Sequence, residues 1–157
     1  MEFLVNILLS SFFFVFVYQI MAPYFSGGAV SFREGTSFGG KLLFGVGMSV
    51  AVTFLQFFML IAGFSAIVAL SVGAAGGAIG IFFAGFAIIA VMVGLTQVAY
   101  WVATVLLGAI MPGIIRVDSA RAAFKAAWAP TIVTSIFYSF LIVVLFYMVA
   151  IGIAATH

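Results

Sequence analysis

Charged side chains are what this sequence has least of. They make up 5% of its 157 residues, and residues 42–115 contain no Asp, Glu, Lys or Arg. An ordinary soluble domain carries roughly a quarter charged residues, whereas one helical crossing of a bilayer needs about 20 predominantly apolar residues. The uncharged stretch is therefore long enough for at least two crossings, and the composition predicts an integral membrane protein.

Side chains that usually carry chemistry are scarce as well. Cysteine is absent, and the one histidine is His157, the last residue of the sequence. Disulfides, thiolate metal sites and cysteine nucleophiles are thereby excluded, and no predicted span offers a histidine to ligate a buried haem. Glu34 and Asp118 lie in separate loops, while a hard cation takes several oxygen ligands together. We expect no enzymatic activity, no cofactor and no metal site.

The residues that are present favour an all-α, polytopic membrane bundle, with residues 1–157 forming one transmembrane domain. The chain contains 20 Phe and 17 Gly; bulky apolar side chains can face lipid, and small residues let membrane helices approach closely. Two charged loops divide the chain into three apolar stretches, and two crossings of the middle stretch bring the predicted number of spans to four. The predicted spans are residues 3–22, 41–70, 79–111 and 131–155, and the predicted loops are residues 23–40 and 112–130.

The first apolar segment is expected to remain as a membrane helix. A secretory signal peptide begins with a positive region, but here Glu2 is the first charged residue and no Lys or Arg precedes Arg33. Pro23, Gly27 and Gly28 are predicted to end this helix, because proline and glycine both interrupt helical structure.

The number of crossings within residues 42–115 could be two or three by length. Two is favoured because a glycine-rich segment lies in the middle of the stretch, and because two crossings put both basic loops on one face. Lys and Arg are enriched in the cytoplasmic loops of membrane proteins. We therefore predict four helices arranged as two hairpins in a bacterial inner membrane, with both termini outside and both charged loops cytoplasmic.

Two glutamines are the main polar residues of the uncharged stretch, and they lie at equal distances from the glycine pair at 76–77. If antiparallel helices join there, one polar intramembrane layer would contain Gln56, Gln97, Thr53 and Tyr100. Amides in hydrocarbon must find partners, so the layer is predicted either to clamp two helices or to line a path or a site for a quinone, lipid headgroup or small solute. The clamp is favoured, because ion and proton paths usually contain a charged residue.

Glycines at four-residue spacing occupy the middle of the same stretch. They are Gly73, Gly76, Gly77 and Gly80. Small residues with this spacing allow close contact between membrane helices, but the segment could equally form a turn or a re-entrant dip. The sequence leaves both alternatives open.

The second charged loop carries a predicted amphipathic helix over residues 118–128. Asp118 is its expected N-cap, and two aromatic side chains four residues apart would form an apolar edge at the membrane surface. The basic residues of this loop are interpreted either as a cytoplasmic topology anchor or as a docking site for an acidic partner or anionic lipid. These residues are Arg116, Arg121 and Lys125.

Short loop motifs provide a weak family resemblance. Gly39-Gly40-Lys41 and residues 120–125, each before an apolar span, are similar to loops of small bacterial Yip-type multi-pass membrane proteins. The similarity covers a small part of the chain, and that family has a different number of spans. No function is transferred from it.

Taken together, these features favour a non-catalytic integral membrane subunit of a larger complex, or a homo-oligomer, because Phe-rich helices without soluble domains expose apolar faces. A small transporter or channel that uses the Gln56–Gln97 layer is the first alternative, and a lipid-interacting, membrane-organising protein is the second. Expected partners are other membrane subunits or copies of this chain, together with membrane lipids, anionic ones included. Nucleic acid is not expected, because it requires clustered Lys and Arg.

Overall fold

Long apolar helices dominate the structure. The computed structural model describes the backbone of residues 2–73, 78–137 and 140, and the side chains of residues 4–57, 90–137 and 140. The elements in chain order are α1 (Glu2–Ser26), β1 (Val30–Phe32), α2 (Phe38–Gly73), α3 (Ala78–Ile110), β2 (Ile115–Val117), α4 (Ala120–Ala126) and a helical segment over residues 128–137, labelled α5.

Within the described residues, three helices are long and apolar enough to cross a membrane, and the predicted all-α class is confirmed. The qualifying segments are Leu4–Ser26, Phe38–Phe57 and Ala90–Ile110. Most of the uncharged stretch belongs to two helices, α2 and α3. The fourth predicted span, residues 131–155, lies mostly outside the described residues.

The two charged loops meet in a short antiparallel ladder that the sequence did not predict. Strand β1 pairs with β2, with Val30 opposite Val117 and Phe32 opposite Ile115. Val30 and Ile115 are buried, so the ladder packs apolar side chains against the helices. As a result, both loops lie at the same end of the helix bundle.

Helix α1 is longer than predicted, because it continues through Pro23 to Ser26, beyond the expected boundary at residue 22. A proline removes its own N–H donor and its ring crowds the carbonyl four residues earlier, but the residues after it can still bond to earlier carbonyls. The helix ends at the glycines that follow. Gly27 has a φ of 66°, and Gly28 donates its N–H to the Pro23 carbonyl at 2.7 Å, which is the usual closure of a helix by a left-handed glycine.

Helices α1 and α2 approach each other closely at Gly45. A Cβ added to this residue would overlap the backbone carbonyl of Ser11, so the contact requires glycine. The buried rings of Tyr18 and Phe44 pack edge to face nearby, with their centroids 5.0 Å apart. This glycine contact therefore sets the distance between the first two helices.

The Gly45→Ala variant is expected to be less stable than the wild type by about 1–3 kcal/mol, the usual range for overpacking a packed contact. The matched control is Gly94→Ala in α3, where an added Cβ would meet nothing within 4 Å and where alanine improves helix propensity. Thermal unfolding in mild detergent, followed by circular dichroism, measures both variants. Equal stability of Gly45→Ala and the wild type would contradict the close packing of α1 on α2.

Candidate functional site

A row of side chains with polar groups runs along one face of α3. Gln97, Tyr100, Trp101 and Thr104 are spaced by three or four residues, which places them on the same side of a helix. Each of them hydrogen-bonds to α1 or to the segment that follows β2. These four residues form the polar face of α3.

Gln97 joins α3 to both helical segments that follow it. Its buried amide donates from Nε2 to the Phe124 carbonyl at 2.8 Å and accepts at Oε1 from the Thr131 hydroxyl at 2.7 Å. Thr131 is buried as well, and its hydroxyl lies 2.8 Å from the Ala127 carbonyl. Because an unpaired buried amide is costly, these bonds stabilise the docking of residues 124–131 on α3.

Tyrosine and threonine hydroxyls extend this network to α1 and α5. Tyr18 and Thr104 are buried and share a hydrogen bond between their hydroxyls, and Thr104 Oγ1 also donates to the Tyr100 carbonyl at 2.6 Å. The Tyr100 hydroxyl lies 2.9 Å from Thr134 Oγ1. Side chains of three helices thus satisfy one another's polar groups.

The polar face overlaps the predicted intramembrane layer only in part. Gln97 and Tyr100 belong to both, but the two hydrogen bonds of the Gln97 amide run to the segment after α3 and not to Gln56. Gln56 is half-buried, while Thr53 is exposed and bonds the Ser49 carbonyl of its own helix at 2.7 Å. A layer shared by Gln56 and Gln97 stays a prediction.

Five residues of the polar face and its hydrogen-bond network were missed by the sequence analysis, namely Tyr18, Trp101, Thr104, Thr131 and Thr134. The signal for Thr104 was present, because it follows Gln97 and Tyr100 at helical spacing. The partners in α1 and α5 have no such signal, since their proximity to α3 depends on the fold.

The predicted glycine motif lies largely outside the described part of the structure. Gly73 is the last residue of α2 and Gly80 lies in the first turn of α3. Gly76 and Gly77 are among the residues that are not described. The choice between close helix contact and a turn stays open.

The basic residues gather near the end of the bundle that the ladder closes, and two of them bond there to oxygen atoms. Arg33 donates from Nε to the Pro112 carbonyl at 2.6 Å, which ties the first loop to the second. Lys41 Nζ donates to Gln19 Oε1 at 3.3 Å and lies 5.6 Å from the centroid of the Phe32 ring. Both cations therefore hold loop and helix segments together.

A third basic residue, Arg116, is paired with Asp118. The guanidinium and carboxylate make two bonds, Nε to Oδ1 at 2.6 Å and Nη2 to Oδ2 at 3.1 Å. The hydrogen bond and the charge of Asp118 raise the pKa of Arg116 above its ordinary value. The prediction that Asp118 caps α4 is wrong, because its carboxylate is engaged here; Ser119 is the N-cap and accepts from the Ala122 N–H at 3.1 Å.

The remaining two basic residues lie on an exposed surface that we call the outer face of α4. It is made of Arg121, Phe124 and Lys125 of α4 and of Trp128, the first residue of α5. All four are exposed, and their spacing places them on one side of the helix. The opposite side is packed against the core through small residues, which are Ala122, Ala123 and Ala126. Alanines thus face inward and large aromatic side chains outward, the reverse of a helix on a soluble protein.

Trp101 fixes α4 to α3 from the side. Its indole Nε1 donates to the Ala120 carbonyl at 2.8 Å, and its ring packs edge-on against Phe124 with centroids 5.8 Å apart. Together with Gln97, it holds the outer face of α4 in a fixed position on the bundle.

Comparison with known proteins gives no relative. No protein-family model matches the chain, and neither a curated protein nor a solved structure matches it. Among the described residues, no three His, Asp or Glu side chains lie together as metal ligands would. This arrangement of side chains can join helices and can present positive charge beside aromatic rings.

Replacing Gln97 by leucine is expected to destabilise the protein by about 1–2 kcal/mol, because the Phe124 carbonyl loses its side-chain partner and the Thr131 hydroxyl keeps only the Ala127 carbonyl. Thr96→Val is the matched control on the same helix, since the Thr96 hydroxyl bonds the Met92 carbonyl one turn earlier, at 2.8 Å. Thermal unfolding in detergent compares the two variants. If both unfold at the same temperature, Gln97 does not clamp the helices.

Proposed function

We propose that this chain is a non-catalytic, structural subunit of a larger membrane complex or of a homo-oligomer. The support comes from the hydrogen bonds that the buried polar side chains make with one another and with the backbone. Both ends of the Gln97 amide are bonded, and Tyr18 and Thr104 bond each other. Groups engaged in this way hold helices in place instead of binding or transforming a substrate. The bonded amide of Gln97 is the observation that carries the proposal.

The exposed side of α1 supplies a surface for a neighbouring helix. Large apolar side chains recur on it every four residues, and each is at least half exposed. They form the α1 ridge, which consists of Leu4, Leu8, Phe12, Phe16 and Ile20. Ridges with four-residue spacing fit into the grooves of an adjoining helix, and packing of this kind contributes to helix association in membranes, where the surrounding lipid is apolar too.

The proposed topology has four spans in two hairpins within a bacterial inner membrane. The β1–β2 ladder holds the two charged loops together, which supports their lying on one side. Five Lys and Arg residues lie in or beside these loops with only Glu34 and Asp118 as acids, and basic loops remain in the cytoplasm. Both termini are then outside.

A small transporter or channel is the second proposal. It depends on Gln56, which is half-buried on α2, and on Gln97 as the opposite amide. Since Gln97 is already bonded at both ends, a passing solute would have to displace those bonds. The structural role therefore has the stronger support.

Crosslinking at the α1 ridge tests the structural role. The chain contains no cysteine, so a Phe16→Cys variant is expected to give a disulfide-linked dimer in native membranes if copies associate. A photo-reactive residue at the same position is expected to capture another membrane protein if the complex is mixed. Val98→Cys, at a position of α3 that is 38% exposed, is the control and should give neither product.

Native mass spectrometry in mild detergent provides the composition of the assembly. A protein that is monomeric there, and that crosslinks only to lipid at position 16, would contradict the proposed subunit role.

The topology is tested by labelling single cysteines with a membrane-impermeant maleimide in bacterial cells. Ser37→Cys and Gly113→Cys lie in the two loops and are expected to react only after the membrane is permeabilised. His157→Cys is expected to react in intact cells. Reaction of Ser37→Cys and Gly113→Cys from opposite sides would contradict both the topology and the pairing of the loops.

A further inference from the structure

We propose that an open cleft between the end of α1 and α4 binds the phosphate group of an anionic phospholipid. The cleft has a volume of about 300 Å³, and its lining residues are Ser26, Ser119, Arg121, Ala122 and Lys125. Two cations and two hydroxyls border this space, and the lining contains no acidic side chain. The inference concerns the loop end of the molecule and does not depend on the α1 ridge or on the proposed subunit role.

Arg121 and Lys125 are distinguished by the absence of an internal partner within the described residues. The other three basic residues are engaged: Arg33 and Lys41 bond to oxygen atoms of the bundle, and Arg116 pairs with a carboxylate. Because Arg121 and Lys125 are four residues apart, they extend from the same side of α4. One phosphate can therefore bond to both, and hydrogen bonds between ionised groups are the strong ones.

The two serine hydroxyls of the cleft differ in whether their hydrogen is already donated to an acceptor. The Ser26 hydroxyl is committed to the fold, since it donates to the Ala22 carbonyl at 2.7 Å and accepts from the Val30 N–H at 3.0 Å. The Ser119 hydroxyl accepts from the Ala122 N–H. Among the described residues its own hydrogen has no acceptor, so it is able to donate to a phosphate oxygen.

The neighbourhood of the cleft favours a lipid over a free phosphate ion. Phe124 and Trp128 share the outer face of α4 with the two cations and are 39% and 38% exposed. Tyr24, two residues before Ser26, is 85% exposed. Aromatic rings beside Lys and Arg are characteristic of the membrane interface, where the rings contact the region between headgroups and acyl chains. A soluble anion would gain nothing from these rings.

The test is native mass spectrometry of the full chain, delipidated in mild detergent and titrated with phosphatidylglycerol or with zwitterionic phosphatidylcholine. The wild type is expected to bind one phosphatidylglycerol about tenfold more tightly than phosphatidylcholine. The Arg121→Gln/Lys125→Gln double variant is expected to lose this preference. The matched control, Arg33→Gln/Lys41→Gln, removes the same charge outside the cleft, leaves the Arg116–Asp118 pair intact and is expected to keep the preference.

A Ser119→Asp variant separates binding from folding. Aspartate is as good an N-cap as serine, so α4 is expected to remain folded while the new carboxylate repels a phosphate. The preference for phosphatidylglycerol should fall as it does in the double variant, and circular dichroism should show unchanged helix content.

Three results would overturn the proposal. They are equal binding of the two lipids by the wild type, an unchanged preference in both cleft variants, and an equal loss of preference in the Arg33→Gln/Lys41→Gln control. Displacement of phosphatidylglycerol by inorganic phosphate in large excess would assign the cleft to a free anion instead of a lipid.

Discussion

A buried amide has no water to bond with, and the buried side chain of Gln97 meets this constraint through the Phe124 carbonyl and the Thr131 hydroxyl. Both partners follow β2, so the chain must turn at the end of α3 and come back along it. Strand β2 and helix α4 are the path of that return, and Trp101 holds it from the side. The two hydrogen bonds of the Gln97 side chain therefore hold the second loop and the start of α5 against α3.

Charge at the loop end is divided between two roles. Three basic side chains make hydrogen bonds that hold loops, strands and helices to one another, and they are Arg33, Lys41 and Arg116. Arg121 and Lys125 make no such bond in the described chain, and the alanine face behind them lets α4 lie close against the core. Aromatic rings on the same outer surface complete a region suited to the boundary between water and lipid.

Hydrophobic length predicted the all-α class, because length and the lack of charge decide that feature. The hydrogen-bond partners of individual side chains could not be predicted in the same way. Gln97 was predicted to pair with Gln56 because the two lie at equal distances from residues 76–77 in the sequence. The observed hydrogen bonds of Gln97 depend instead on how the chain folds back after α3. Asp118 and Ser119 are both good N-caps by residue type, and the pairing of Asp118 with Arg116 decides between them. Three-residue strands carry too little pattern to be recognised before they pair.

The ladder between β1 and β2 has a consequence for biosynthesis. Val30 pairs with Val117, so the earlier strand is synthesised long before its mate and stays unmatched while α2 and α3 emerge from the ribosome. Closure of this end of the molecule is therefore a late event in translation, after both long helices have been made. A chain stalled before β2 would expose an open strand edge, which is the kind of surface that chaperones and proteases recognise.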